Sequence, residues 1–196
     1  AGLRDRPFAA PYGSVSRYLL PSVSAAAGDW EAALGPVETA PGDSAGLVLR
    51  LQRARLLELR RRYDDADVEY RALMTLPEGE RLFGVAYGEF LERRGRRPEA
   101  ESRYRASLAG AAPEPAALRG LERLERRARP PAVPSLAANA ADALVFAAME
   151  VGAYELHELS AIYLRLAMAL APEDSIALRL GHAFAELQRG LEGLGE

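Results

Sequence analysis

The sequence predicts an all-α protein assembled from antiparallel helix pairs. Alanine, leucine, arginine and glutamate, all good helix formers, fill most segments. Runs of alternating β-branched residues are missing, so no segment reads as a strand. A pattern of small and large residues also returns at intervals of 33 and 34 positions, which points to stacked repeats rather than one irregular core.

Taken in order, helices are expected at 13–27, 29–40, 45–61, 64–76, 79–94, 98–110, 114–128, 135–151, 155–171 and 174–189. The breaks between them carry Gly, Pro or Asp: "AGDW", "APGDS", "RRRYDD", "LPEGE", "RRGRRPE", "GAAPEP", "ARPPAVPS", "VGAYE" and "APEDS". The organisation expected is a lead-in at 1–13, three units plus an extra helix at 14–128, and a Pro-rich link at 129–134. A fourth unit and the first helix of a fifth follow at 135–190, then a tail at 191–196.

The repeat is clearest in "GDWEAALGPV", "RRYDDADVEY" and "GRRPEAESRY". Each places an alanine four residues before a bulkier group: Ala33 with Val37, Ala66 with Tyr70, Ala100 with Tyr104. Twelve residues before each alanine stand Pro21, Ala54 and Gly88 in the preceding helix. Two helices packed closely need small residues where their axes cross, and large residues fill the gaps beside the crossing. Gly88 is therefore expected against Ala100, and Ala54 against Ala66.

This pattern resembles the tetratricopeptide repeat (TPR), whose period is about 34 residues. The resemblance implies a right-handed superhelical solenoid, with Ala33, Ala54, Ala66, Tyr70, Gly88, Ala100 and Tyr104 as repeat-packing residues. Pro21 departs from the expected glycine, and Leu57 and Leu91 from the expected aromatic residue. A fourth unit ends in "SAIYLRLAMALAPED", where Ser160, Leu164, Ala167, Leu170 and Pro172 fall in the repeat's order. "SIALRLGHAFAELQRG" opens a fifth unit without a second helix, which leads to the expectation of a longer array. The segments "EFLERRGRRPEA", "RYRASL" and "IYLRLAMALAPE", with the proline-rich break between them, are similar to the large TPR proteins of alphaproteobacteria. That likeness implies a periplasmic location, a role in maintaining the cell envelope, and no enzymatic activity.

Bulk properties narrow the chemistry. The 196 residues suffice for one or two domains, and the net charge is −3. There is no cysteine, which excludes disulfides, thiol nucleophiles and thiolate metal sites. No apolar run is expected to be long enough to span a bilayer. Every one of the 25 basic residues is arginine, so arginine clusters are expected from composition alone. Residues 50–129 carry 19 Arg against 14 acids, net +5, whereas 135–196 carry 3 against 9, net −6.

Three arginine clusters end helices: Arg60–Arg62, Arg93 to Arg97 around Gly95, and Arg126 to Arg129. Cations there gain about 0.3–1 kcal/mol each from the helix dipole. The reading is of solvated helix ends, with an acidic protein partner as the alternative. A nucleic-acid footprint would need a basic face with few acids, so no nucleic acid is expected.

Motifs of reaction chemistry are incomplete. "PGDSAG" at 41–46 has the look of a serine-nucleophile loop, but the only histidines are His157 and His182. It reads as a turn, with Asp43 or Ser44 capping the next helix. "HELSA" at 157–161 lacks the second histidine of a zinc helix, since Ala161 stands there. "GLEGLG" follows no strand, and Asp64, Asp65 and Asp67 read as acids suited to a helix start. No cofactor, metal or catalytic residue is expected.

A binding surface remains. The first helices of successive units would line a concave groove. The candidates for holding a partner are Tyr18, Leu51, Arg55, Glu58, Val85, Glu89 and Glu92, with Val15 and Ser22 beside them. Trp30, Tyr63 and Tyr154 are expected to pack at repeat corners. The functional expectation is a non-enzymatic scaffold for a protein or peptide partner, without membrane insertion. The alternative is an architectural segment that packs on its own longer chain, or self-associates through its C-terminal repeat.

Overall fold

A computed structural model describes residues 13–37, 44–76, 79–109, 114–173, 176–177, 180–181 and 183–185. Among them the chain is helical and has no strand. The helices are α1 (Gly13–Ala26), α2 (Trp30–Ala33), α3 (Ser44–Leu59), α4 (Tyr63–Met74), α5 (Gly79–Arg93), α6 (Arg97–Leu108), α7 (Pro115–Glu125), α8 (Leu136–Ala153) and α9 (His157–Leu170).

One expected helix is much shorter than predicted. The described part of the 29–40 segment, residues 29–37, holds α2 alone, capped by the Asp29 carboxylate, which accepts from the Ala32 N–H at 3.0 Å; residues 38–40 lie outside the described residues. Gly35 and Pro36 stop it, because the residue before proline is pushed out of the helical region. By contrast α1 runs straight through Pro21.

Five of the helix ends share one device. Gly28, Arg61, Gly95, Arg127 and Glu155 all have positive φ, between 50° and 82°. At each, two backbone bonds close the helix in the same pattern. At Gly95 they run from its N–H to Glu92 O and from the Arg96 N–H to Leu91 O; at Arg61, from its N–H to Glu58 O and from the Arg62 N–H to Leu57 O. This is the double-bonded C-terminal cap that favours glycine. Only two of the five positions hold glycine, so the sequence signal for it is partial.

The chain divides into two compact units, Ala1–Gln52 with Pro134–Glu196, and Arg53–Val133. The Pro-rich link coincides with one boundary. The other falls inside α3, within the expected stretch 14–128. Within the first unit the buried face of α1 packs on α8. Tyr18 Oη donates to Glu150 Oε2 at 2.7 Å. Gln52 Nε2 donates to the Tyr18 carbonyl at 2.8 Å and Ser22 Oγ to Gln52 Oε1 at 3.2 Å, while Asn139 Nδ2 donates to Ser22 Oγ. Each member of this buried set meets a partner, as burial in an apolar core requires. Around it α8 and α9 supply the small and apolar core: Ala143, Leu144, Ala147, Val151, Leu164 and Ala167.

By length and composition α8 is apolar enough to cross a membrane, with mean hydropathy 1.3 over 18 residues, which corrects the expectation that no run is. It serves here as the core helix of its unit, packed on α1 and α9. Of the fourth unit's predicted packing residues, Ala167 is buried, but Pro172 is exposed and merely follows the end of α9. Leu170 is also exposed.

In the 53–133 unit, α5 is central and packs on α4, α6 and α7. Ala54, Ala66, Tyr70, Gly88, Ala100 and Tyr104 are all buried, as is Ala33 in the other unit. The surface nearest to Gly88 is the ring of Tyr104. A Cβ at Gly88 would lie 2.6 Å from the Tyr104 ring, and one at Gly120 would lie 2.5 Å from its other edge. Two glycines on α5 and α7 thus make the slot for one tyrosine ring of α6, and a side chain at either would enter the ring's own volume. Tyr70 packs on Phe90 and Tyr87, with ring centroids 5.0 and 5.5 Å away.

Candidate binding cleft and its ionic frame

The arginine turn at 93–97 is a set of internal clamps. Arg93 grips Glu58 with both Nε and Nη2, at 2.6 and 2.8 Å. Arg96 bonds Asp67 at 3.0 Å and Glu99, and Arg97 donates to the Leu124 carbonyl. Arg94 lies 3.8 Å from the centre of the Tyr63 ring, a cation–π contact. The expectation of solvated helix ends is therefore corrected for Arg93, Arg96 and Arg97. A guanidinium offers five donors in a fixed fork, which suits it to bridging helices.

The clamp recurs one repeat on. Glu92 stands 34 residues after Glu58, and Arg123 of α7 holds it at 2.9 Å. Tyr104 Oη donates to the same carboxylate at 2.8 Å. Both glutamates have side chains only 1% exposed. Burial, and then the bond to Glu92, push the Tyr104 hydroxyl well above the usual tyrosine range. The sequence signal was present in the 34-residue spacing of the two glutamates, but the identity of the arginine partners was not.

Most residues of the expected groove lie inside the chain. Tyr18, Leu51, Arg55, Glu58 and Glu92 are buried in the chain, as are Val15 and Ser22. Glu58 and Glu92 are held by arginine and Tyr18 by Glu150, so they frame the fold instead of facing a partner. Val85 and Glu89 stay half-buried. Burial raises the Glu89 carboxyl above the ordinary carboxylate range, against the pull of Arg93, Arg55 and Arg123. Asp67 is more than a helix-start acid, for it also accepts from Tyr87 Oη at 2.9 Å and from Arg71 at 2.6 Å. Tyr154 is 75% exposed and packs at no corner.

Within the 53–133 unit lies a cleft of about 310 Å³, which sequence reading did not locate. Its walls are Glu58, Tyr63, Arg93, Arg94, Arg129 and Pro130–Val133. The ends of α3 and α5, the start of α4 and the proline-rich link converge on it. Proximity in sequence gives no hint that Tyr63 and Arg129 share a wall.

The reaction motifs gain nothing from the fold. His157 is the first residue of α9 and half-buried; His182, Asp43, the Ser44 side chain and "GLEGLG" lie outside the described residues. Among the described residues no cluster of three His, Asp or Glu could hold a metal ion. Comparison with protein-family models, curated proteins and solved structures finds no match.

Proposed function

We propose that the chain is a non-enzymatic scaffold of TPR-like helix pairs that holds a protein or peptide partner. The observation that carries this reading is the recurrence of a glutamate–arginine clamp, Glu58 with Arg93 and then Glu92 with Arg123, in which the two buried glutamates stand 34 residues apart. Equivalent helices that meet their neighbours through equivalent pairs are what a repeat array requires. The recurring left-handed helix ends at 28, 61, 95, 127 and 155 support the same reading. A frame fixed by buried pairs leaves its exposed faces free to differ, and recognition follows from those faces. A periplasmic, envelope-associated setting is the proposal that accompanies the resemblance to alphaproteobacterial TPR proteins. The test is capture of a partner on immobilised chain, followed by titration of the purified partner by calorimetry. A saturable complex of fixed stoichiometry supports the scaffold. Absence of any partner that survives purification, from soluble and envelope extracts alike, overturns it.

A second reading rests on α9. Ile162, Leu166 and Leu170 recur every four residues on it and are 44–52% exposed. Such a stripe is the surface an architectural segment would cover, on its own longer chain or on a second copy. Light scattering across a concentration series separates the two, since a monomer throughout removes self-association.

A further inference from the structure

We infer that the cleft between Tyr63, Arg94 and the Arg129–Val133 link is a docking site for an acidic, extended peptide segment; this deepens the scaffold reading and rests on it. The first ground is charge. Arg93 and Glu58 neutralise each other in the cleft wall, which leaves Arg94 and Arg129 as a net charge of +2 at its mouth. Arg94 and Arg129 are both exposed, and neither has an ion pair among the described residues. That sets them apart from Arg93, Arg96 and Arg123, which are committed to holding helices together.

The second ground is an unmet donor. Arg93 Nη1 is buried without a hydrogen-bond partner, in a side chain only 9% exposed. Such a donor is rare in folded proteins, and the residue that carries it lines the cleft. It is shielded from bulk water, so a ligand's first contacts fall on Arg94 and Arg129. The third ground is shape. A volume of about 310 Å³ is at the small end of ligand sites, which run from about 300 to 1,000 Å³. It admits one or two side chains and not a whole helix, which is about 10–12 Å across. The chemistry argues against a nucleobase. The Tyr63 ring already lies under the Arg94 guanidinium, so that face is not open as a stacking platform. What remains is paired guanidinium donors beside a proline wall, which match carboxylate side chains on an extended backbone.

The experiment uses a fluorescein-labelled, C-terminally amidated hexaglutamate peptide and reads anisotropy at low salt. Comparators are a Gly-Ser peptide of equal length, inorganic phosphate as competitor, and oligothymidylate. Arg94→Ala/Arg129→Ala should weaken hexaglutamate binding by at least tenfold, about 1.4 kcal/mol. Arg81→Ala/Arg119→Ala removes the same charge from exposed helix positions outside the cleft and should change it less than threefold. Circular dichroism confirms that each variant is folded. No saturable binding of hexaglutamate, or equal loss in both double variants, overturns the inference. So does tighter binding of oligothymidylate, or full displacement of hexaglutamate by equimolar phosphate. If the captured partner binds wild type and the Arg94/Arg129 variant alike, the cleft assignment fails while the scaffold reading stands. If no partner is captured at all, it is the scaffold reading that fails.

Discussion

Arg93→Met tests whether a buried ion pair fixes α3 on α5. Glu58 is 1% exposed and receives two N–H bonds from Arg93, at 2.6 and 2.8 Å. Each hydrogen bond to a charged group contributes about 1.5–3 kcal/mol. Two such bonds lost at once, with the carboxylate left buried and unpaired, give about 3–5 kcal/mol, the range found when one partner of a buried pair is removed. The Glu58→Leu/Arg93→Met double variant should behave differently. It removes both charges together and also the orphan Nη1 donor, which by itself costs about 1–3 kcal/mol. Its stability should lie within about 1 kcal/mol of wild type, or above it. Urea unfolding followed by far-UV circular dichroism reads the difference. With a slope of about 2 kcal/mol per molar urea, the single variant moves the midpoint by about 2 M and the double by less than about 0.5 M. Fluorescence of the sole tryptophan, Trp30, reports the other unit in the same samples. A single variant costing under about 1 kcal/mol, or a double as damaged as the single, would refute the clamp's role.

Three further outcomes are expected. Gly88→Ala should destabilise by about 1–2 kcal/mol, because overpacking against Tyr104 costs about 1–3 kcal/mol and helix propensity returns only part of it. Gly152→Ala, whose nearest neighbour is Ser160 Oγ at 3.6 Å, should stabilise by about 0.5–1 kcal/mol. Thermal melts that give both changes the same sign would contradict the packing described. Arg61→Gly should raise stability by about 0.5–1 kcal/mol, since a non-glycine residue at φ 58° is strained by about 1–2 kcal/mol and glycine costs part of that in unfolded-chain entropy. A loss of stability in urea would show that the arginine side chain does something further there. Glu89 has a raised folded value, so its stability contribution is present below the ordinary 4.5 and is lost as pH rises through the folded value. Glu89→Gln should therefore gain on wild type at pH 7 relative to pH 4, and an equal difference at the two pH values would be inconsistent with that.

The cleft was the least legible feature. Tyr63, Arg94 and Arg129 read singly as corner packing and solvated helix ends, and nothing in their spacing says that they line one wall. The burial of most groove candidates has a related reason. Helical phase selects the side of a helix that faces inward, and it does so equally for a ligand surface and for an internal ion pair. Glu58 and Glu92 lie on buried faces, and whether water or an arginine meets them there depends on α5 and α7.

The helical class, the bounds of most described helices within a few residues, and the buried alanines and tyrosines of the 34-residue pattern were legible in the sequence. Those follow from local rules: propensity, Gly and Pro breaks, and small residues where helices cross. The packing of α1 on α8, the placing of Tyr104 between Gly88 and Gly120, and the arginine clamps between helices were not legible in the sequence. These depend on contacts between residues up to 132 positions apart, whose free energy is set by which groups meet once water is excluded.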